Sequence, residues 1–429
     1  VKDVSCPSRN SLFTLVLNTT STTVYVYTYV VTEKSNDIVI TWTTFNDTQG
    51  SYATFGIRDL GNEVSGSTTL FQDGGKERRE QYIHRVTLSG LLYDTTYSML
   101  YNVGSTYGMS ELFRFHVPPA GNQFPVRAAI YGDMGNKNAH SLEYLQQEAE
   151  SGNFDVILHV GDFAYDMHDD NARVGDQFMR QIQPIAAMVP YMTCPGNHEA
   201  AYNFSNYRAR FSMPGGTESM FYSFDLGPVH FVSISTEYYY FLQWGARMLF
   251  EQFAWLQDDL AKANQPKNRA ERPWIVLMGH RPMYCSNSDD IDCSFEYTRL
   301  TLPLSLGLEP LLKQYGVDVV VWAHEHSYER SWPLYDDKVY NGTLEEPYTN
   351  PGAPVHIVTG SAGCQENHSL FNGKRLTRPS WSWSAFRSQD YGYTRFVAHN
   401  GTHLYMEQVR SSVPFLSRCK QKLYRCISR

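Results

Sequence analysis

Five short apolar runs in the second part of this 429-residue chain each stop just before a side chain that can bind a metal ion. They are typical of strands, and they cover Val126–Tyr131, Val156–Val160, Tyr191–Cys194, Trp274–Met278 and Val317–Ala323. A glycine closely follows four of them, which lets the backbone turn sharply toward a bound group. Open α/β sheets bind ligands in the crevice outside the carboxyl ends of their strands. We therefore expect these strand ends to converge on one edge and form a ligand site.

The residues just beyond the runs have the chemistry of metal ligands. Seven are candidates: Asp133, Asp162, Tyr165, Asn197, His280, His324 and His326. A pair of metal ions needs a bridging carboxylate together with oxygen and imidazole ligands. Asp162 is the expected bridge, Asp133 a terminal carboxylate and Asn197 a neutral amide oxygen. The pattern predicts a dinuclear metal site.

Two local spacings refine this prediction. In an extended segment, residues two apart face the same side, so His324 and His326 can reach one cluster while Glu325 points away. Tyr165 follows Asp162 by one tight turn. A phenolate is a hard anion with a high intrinsic pKa, so its coordination implies a strongly acidic cation such as Fe(III) rather than Mg(II) or Ca(II). This predicts a coloured protein.

The bulk properties exclude other classes of function. A net charge of −8 and a pI near 6.0 give no basic face for binding nucleic acid. No apolar run reaches the roughly 18 residues that a membrane span requires. The length favours two domains.

The first domain is predicted over residues 23–118 as an antiparallel β-sandwich. Its predicted strands are Ile38–Thr43, Tyr52–Ile57, Tyr82–Leu88, Thr96–Val103 and Leu112–Val117. The position of Trp42 and the segment around Leu88–Leu91 resemble fibronectin type III domains. Pro118, Pro119 and Gly121 mark a linker.

The second domain is predicted over residues 125–410, because strand patterns there alternate with helical ones. The helical patterns cover Ala139–Ser151, Gly175–Ala187, Leu249–Asn264 and Leu306–Tyr315. Residues 411–429 form an atypical C-terminal tail.

Cysteines and glycosylation sequons favour a protein of the secretory pathway, which would be either secreted or lysosomal. Cys285–Cys293 and Cys419–Cys426 are candidate short disulfides, whereas Cys194 is expected to be buried and reduced. The alternative is a cytosolic protein whose cysteines are all free thiols. Sequons begin at Asn18, Asn46, Asn203, Asn341, Asn367 and Asn400. The first residues make a poor signal peptide, so we expect any targeting segment to lie outside this sequence.

Five blocks of the chain resemble those of purple acid phosphatases in content, order and spacing. They are the segments 132–135 (GDMG), 161–165 (GDFAY), 196–199 (GNHE), 277–280 (LMGH) and 323–326 (AHEH). The similarity extends over roughly residues 36–409 and is to the two-domain iron/zinc enzymes of animals. It implies a four-layer α/β/β/α metallophosphoesterase domain behind the sandwich, and it allows a homodimer.

The resemblance also implies a role for each candidate. Fe(III) would be held by Asp133, Tyr165 and His326, and a divalent Zn, Fe or Mn by Asn197, His280 and His324, with Asp162 bridging both. A metal-bound hydroxide would then attack small phosphomonoesters, with activity peaking below pH 7. His198 would donate a hydrogen bond to the phosphoryl oxygens, and Glu199 would orient it.

The chain departs from the family pattern in two places, near the predicted site and at the two ends of the similarity. Plant members have substrate-facing histidines between the residues matching His280 and His324, whereas this chain has none and carries Arg281 and Tyr284 there. Protonation of the leaving group is therefore assigned only to His198 or solvent. In addition, the usual first strand before Asn36 and the final strand after Val409 have no match, which predicts an incomplete edge in each domain.

Three functions remain open. The first is a secreted acid phosphatase. The second is a phosphodiesterase or protein phosphatase of the same superfamily, which Tyr165 argues against, as does Gly135 where generic relatives carry a histidine. The third is a glycoprotein that uses its iron site or its β-sandwich for binding or iron carriage.

Overall fold

The structure is a computed structural model that describes residues 25–30, 36–104, 108–244, 246–287, 293, 297–300, 306–371, 382–411 and 426–428. Within these ranges the chain forms a β-sandwich followed by an α/β domain. None of the described helices combines the length and the apolar character needed to cross a membrane.

The sandwich consists of two antiparallel sheets. Its strands are β1 (Tyr25–Val30), β2 (Ile38–Thr44), β3 (Tyr52–Gly56), β4 (Asn62–Ser65), β5 (Ser67–Gln72), β6 (Glu80–Leu88), β7 (Thr95–Gly104), β8 (Gly108–Met109) and β9 (Phe113–Val117). One sheet has the order β1-β2-β6-β5, and the other has β4-β3-β7-β8 with β9 also on β7. Trp42 lies fully buried between them, with its ring centroid 5.0 Å from those of His84 and Tyr101. The predicted sandwich is confirmed.

The expectation of an incomplete edge is wrong for the first domain. β1 pairs with β2 over its whole length, from Tyr25 opposite Thr43 to Val30 opposite Ile38. At the other end, β24 (Cys426–Ser428) pairs with residues 403–405, so part of the atypical tail adds an edge strand. Tyrosine, valine and threonine in the first segment have high β propensity, which explains why it forms a strand.

The α/β domain contains two large sheets. Its remaining strands are β10 (Val126–Tyr131), β11 (Val156–Val160), β12 (Tyr191–Cys194), β13 (Tyr222–Leu226), β14 (Val229–Ser233), β15 (Trp274–Met278), β16 (Val319–Trp322), β17 (Tyr328–Ser331), β18 (Leu334–Tyr335), β19 (Lys338–Val339), β20 (Val355–Thr359), β21 (Ser384–Ser388), β22 (Gly392–Ala398) and β23 (His403–Arg410). The six-stranded sheet has the order β12-β11-β10-β22-β23-β24, and the seven-stranded sheet β13-β14-β15-β16-β20-β17-β21. Strands β10–β12 run parallel, as do β14, β15, β16 and β20.

Helices surround these sheets. They are α1 (Leu142–Glu150), α2 (Asp169–Ala186), α3 (Ala201–Arg210), α4 (Arg247–Ala263), α5 (Pro266–Glu271), α6 (Tyr297–Leu300) and α7 (Leu308–Gln314), with 3₁₀ turns at Asn197–Glu199, Pro214–Gly216, Thr236–Tyr239 and Leu242–Trp244. The four predicted helical segments all contain a helix, with ends shifted by a few residues.

Side-chain alternation along single strands reveals four layers. On β14, Phe231 packs on Phe396 of β22 in the other sheet at 6.0 Å between ring centroids. The preceding residue, His230, points the opposite way, toward α4. On β22, Arg395 likewise faces outward and binds Glu148 of α1 at 2.7 Å. The order helix, sheet, sheet, helix is the predicted α/β/β/α architecture.

His230 of β14 lies between Asp225 of β13 and Asp259 of α4. Its Nδ1 lies 2.7 Å from Asp225 Oδ1 and its Nε2 lies 2.9 Å from Asp259 Oδ2. Burial lowers the pKa of His230, but the two carboxylates outweigh burial and raise the pKa to about 9. Arg272 also binds Asp225, at 2.9 Å.

We expect this charge to stabilise the fold in acid. A histidine whose pKa is higher in the folded than in the unfolded chain contributes fully below about pH 6.5, and the contribution disappears as the pH rises to about 9. It amounts to at most about 3 kcal/mol. Thermal midpoints of the wild type should fall more steeply over this window than those of His230→Gln. Parallel midpoint curves for the two proteins would contradict this expectation.

Candidate metal centre

The predicted ligands come together, but from two sheets rather than from one. Asp133, Asp162 and Asn197 follow β10, β11 and β12 of the six-stranded sheet, whereas His280 and His324 follow β15 and β16 of the seven-stranded sheet. Because the sheets pack face to face, their carboxyl strand ends meet at one crevice.

Glycine is required where these strands end. Gly161 has a φ of +82°, and a Cβ there would lie 2.4 Å from His280 Nδ1. A Cβ at Gly196 would lie 2.1 Å from Asp162 Oδ1. Any side chain at either position would displace the candidate ligands.

One group of donors consists of Asp133, Tyr165 and His326. The Tyr165 hydroxyl lies 3.0 Å from Asp133 Oδ1 and 2.9 Å from His326 Nε2, and the latter two atoms are 3.5 Å apart. Burial raises the pKa of Tyr165 well above its usual range, and the charges of Asp133 and Asp162 add to this shift. A strongly acidic cation would favour the phenolate and so act against this shift.

The second group consists of Asn197, His280 and His324 and adjoins Asp162. His280 Nε2 lies 3.2 Å from Asn197 Oδ1 and 3.1 Å from Asp162 Oδ2. Ligand atoms of Asp162, His280 and His324 all lie within 4.8 Å of one another. Burial raises the pKa of Asp162, but His280 and His198 outweigh burial and hold it well below its usual range. Asp162 therefore remains an anion beside this second group, and its charge also acts on Tyr165 of the first.

Backbone carbonyls orient two of the imidazoles. His280 Nδ1 lies 2.8 Å from the carbonyl of Val160, and His326 Nδ1 lies 2.9 Å from that of Asn367. A neutral ring that donates from Nδ1 keeps its lone pair on Nε2, which here faces the other donors. The donor set is rich in anionic oxygen and imidazole, so its chemistry fits a pair of transition-metal ions.

The extended backbone predicted at His324 is wrong, although His324 and His326 do line the same cavity. β16 ends at Trp322, and His324 has a φ of +68° in the turn that leaves the strand. The chain must turn here because β20 lies between β16 and β17 in the sheet. Glu325 does point away, and its carboxylate lies 3.4 Å from Sγ of Cys285.

Glu199 holds the site loops together instead of orienting His198. Its carboxylate accepts backbone N–H groups of Asp162 at 3.0 Å, Phe163 at 3.1 Å and Gly196 at 2.9 Å. Burial and the charge of Asp162 raise the pKa of Glu199, whereas the N–H groups of Phe163 and Gly196 stabilise its carboxylate. One buried side chain thus joins the ends of β11 and β12.

His198 is held by residues that sequence reasoning missed. Its Nδ1 lies 2.7 Å from Asp166 Oδ1, and its Nε2 lies 3.6 Å from Glu366 Oε1. Both contacts join distant parts of the chain, so no local motif signals them. The surrounding cavity of about 280 Å³ is lined by Asp162, Asn197, His198, His324, Glu325, His326, Glu366, Asn367 and Ser369.

Arg281 lies behind His324 and does not line this cavity. Its Nη1 lies 3.0 Å from His324 Nε2, and its Nε donates to Glu237 Oε2 at 3.0 Å. The guanidinium also lies over the ring of Tyr240, 4.4 Å from the centroid. Arg281 therefore contacts the candidate ligand His324 from outside the cavity.

The cysteine predictions are resolved in part. Cys285 and Cys293 form the predicted disulfide. Cys194 is free and buried, as expected, and Cys364 is also free and buried, 3.4 Å from His326 Nδ1. Cys419 lies outside the described residues.

Comparisons with known proteins agree with this architecture. Three family models match successive parts of the chain: the purple acid phosphatase N-terminal domain over residues 24–117, the calcineurin-like phosphoesterase over 126–328, and the iron/zinc purple acid phosphatase-like protein C over 353–414. A zebrafish (Danio rerio) protein named acid phosphatase type 7 is 54% identical over 87% of this chain and 85% of its own length. The human (Homo sapiens) protein of the same name is 51% identical over 87% and 84%.

A solved structure shares the fold. The purple acid phosphatase PPD1 from yellow lupin (Lupinus luteus) seeds has a TM-score of 0.76 at 24% identity, covering 95% of this chain and 74% of the lupin chain. Together with the family models and the relatives above 50% identity, these findings establish that the chain belongs to the purple acid phosphatase family, within the calcineurin-like phosphoesterases.

Proposed function

We propose that this member of a family of metal-dependent phosphatases is an acid phosphatase that hydrolyses small phosphomonoesters at a dinuclear centre. The observation that carries the proposal is the pair of donor groups, one in direct contact with Asp162 and the other exposed to its charge at Tyr165. Fe(III) would be held by Asp133, Tyr165 and His326, and a divalent Zn, Fe or Mn by Asn197, His280 and His324. When bound, such cations polarise a phosphoryl group and activate water for in-line attack.

The chain's own residues contribute binding and orientation. His198 faces the cavity with Nε2 while Asp166 holds its Nδ1, so its ring is fixed to donate a hydrogen bond to a phosphoryl oxygen. For the leaving-group proton, His198 and solvent remain the proposed sources. Glu366 lies on the cavity side of His198 and is half exposed, which gives a proton a route to solvent.

Secretion is part of the proposal. Asn46, Asn341, Asn367 and Asn400 are exposed, as glycosylation requires. The Cys285–Cys293 disulfide is of the kind that persists in oxidising compartments.

Metal removal tests the proposed activity. Protein stripped with a chelator should lose p-nitrophenyl phosphate turnover, and Fe(III) together with Zn(II) should restore it, with a maximum below pH 7. Either ion alone should restore less than about a tenth of the original turnover, because each donor group needs its own cation. Full activity in stripped protein whose metal content is verified as zero would refute the dinuclear proposal.

A further inference from the structure

The turn between β5 and β6 of the β-sandwich contacts the α/β domain. Asp73 Oδ1 accepts a hydrogen bond from Asn206 Nδ2 at 3.0 Å. The backbone N–H of Glu77 donates to Asn171 Oδ1 at 3.0 Å, and Asn171 Nδ2 donates back to Glu77 Oε1 at 3.0 Å. We call residues 73–79 the docking turn.

A buried carboxylate extends this contact. Asp176 of α2, whose side chain is 3% exposed, accepts from Arg79, from Gln81 Nε2 at 2.6 Å and from Arg210 Nη2 at 2.9 Å. Arg79 and Gln81 belong to the sandwich, whereas Arg210 ends α3. Arg79 Nη1 also donates to the carbonyl of Asn171 at 3.1 Å. Arg79 of the sandwich thus donates hydrogen bonds to two residues of α2, Asn171 and Asp176.

The contacted segments directly follow the two loops that hold the Asp166–His198 pair. Asp166 lies just before α2, and its carbonyl accepts the N–H of Asp169 at 3.1 Å. His198 lies just before α3, which begins at Ala201. The docking turn reaches this second helix too, because a Cβ at Gly74 would lie 2.3 Å from the ring of Tyr202.

The first turns of both helices have an unusual backbone. Residues 170–172 and 202–204 all have positive φ, between 49° and 66°, although none is a glycine. Such conformations persist where the surroundings hold them. At residues 170–172 those surroundings include the docking turn and Arg79.

We propose that the β-sandwich positions the Asp166–His198 pair for phosphoryl binding, with Arg79 as the main positioning residue. The inference rests on the proposed function, because it assigns the sandwich a part in the same reaction. Arg79 touches no substrate and acts through Asn171 and Asp176 on the start of α2. Loss of such a supporting contact typically costs about 10- to 100-fold in activity, and a misplacement of about 1 Å can cost about 100-fold.

Arg79→Gln is a suitable probe. Asp176 would keep Arg210 and Gln81, so its buried charge stays paired. The matched control is Arg85→Gln on the same strand β6. Arg85 also contacts the α/β domain, but at the end of α3 that is farther from His198. It donates to the Ala209 carbonyl at 2.7 Å in the last turn of α3 and to Ser212 Oγ at 2.5 Å just after the helix.

The experiment is a double-mutant cycle with His198→Ala in the metal-replete full chain. We expect Arg79→Gln to lower kcat/KM for p-nitrophenyl phosphate about 10-fold in the wild-type background and less than 2-fold in the His198→Ala background. Arg85→Gln should change kcat/KM less than 2-fold in both. Thermal midpoints of all proteins report any general destabilisation.

Two outcomes would overturn the inference. Equal losses from Arg79→Gln in the two backgrounds would show that Arg79 does not act through His198, and equal losses from Arg79→Gln and Arg85→Gln would show a general effect of the interface. The same double-mutant cycle can be measured without turnover, by comparing the affinities of the four proteins for inorganic phosphate in calorimetry. Absence of turnover in the wild type would therefore count against the proposed function, while the phosphate cycle would still decide the inference.

Discussion

Asp162→Asn is expected to remove at least one metal ion per chain and to lower kcat/KM by at least about 10³-fold. Asp162 Oδ2 lies 3.1 Å from His280 Nε2 of one donor group, Oδ1 accepts the N–H of His198 at 3.0 Å, and the charge of Asp162 also acts on Tyr165 of the other group. An asparagine could keep the second contact through its carbonyl oxygen. It would place an NH₂ toward His280 and supply no negative charge between two cations.

Metal content and p-nitrophenyl phosphate turnover measure this effect on one preparation. Asp259→Asn is the matched control, because Asp259 is also a largely buried aspartate bound to a histidine, His230, but on the outer face of the seven-stranded sheet. It should retain full metal content and a rate within 2-fold of the wild type. If Asp162→Asn kept two metal ions and more than a tenth of the wild-type rate, Asp162 would not bridge.

Glu199→Gln is expected to lower kcat/KM about 10- to 100-fold through the backbone rather than through the substrate. The Glu199 carboxylate accepts three buried N–H groups with its two oxygens. Glutamine offers one oxygen, so its NH₂ group must face at least one of those donors. Such an unsatisfied buried contact costs about 1–3 kcal/mol and displaces the loops that carry Asp162 and Asn197.

Urea unfolding measures the loss of stability in Glu199→Gln, and metal affinity measures the displacement of the loops at the site. Glu148→Gln removes another buried carboxylate, which binds Tyr393 and Arg395 on the outer face of the six-stranded sheet. It should cost comparable stability while leaving kcat/KM and metal affinity within 2-fold of the wild type. Unchanged kinetics and metal affinity in Glu199→Gln would mean that the loops keep their positions without this carboxylate.

Strands with strong apolar character could be predicted from the sequence. The bounds of β10, β11, β12 and β15 coincide with the predicted runs, because these strands are buried on both faces and end abruptly at glycine or proline. β4 and β5 were missed, since Asn62–Ser65 and Ser67–Gln72 are mostly polar and mostly exposed, with only Phe71 buried. Only pairing with β3 and β6 makes them strands.

The convergence of the candidate ligands could be predicted, but not the residues that support them. Each candidate lies close to a strand end, which is a local signal. The contacts of Glu199 with Phe163, of Asp166 with His198 and of Asn367 with His326 depend on loops that meet only after the two sheets have packed. The turn at His324 was missed for the same reason, since the intervening strand β20 comes later in the chain.

The most direct test of the dinuclear iron site is the visible spectrum of metal-replete protein beside that of Tyr165→Phe, with p-nitrophenyl phosphate turnover recorded for both. The Tyr165 hydroxyl lies about equally close to Asp133 and His326, where Fe(III) would be held. We expect a broad tyrosinate-to-iron band that disappears in the variant, and phosphatase activity in the wild type. A colourless but active wild type would contradict the Fe(III)–tyrosinate site, and a coloured protein without turnover would contradict the phosphatase activity and favour a binding role.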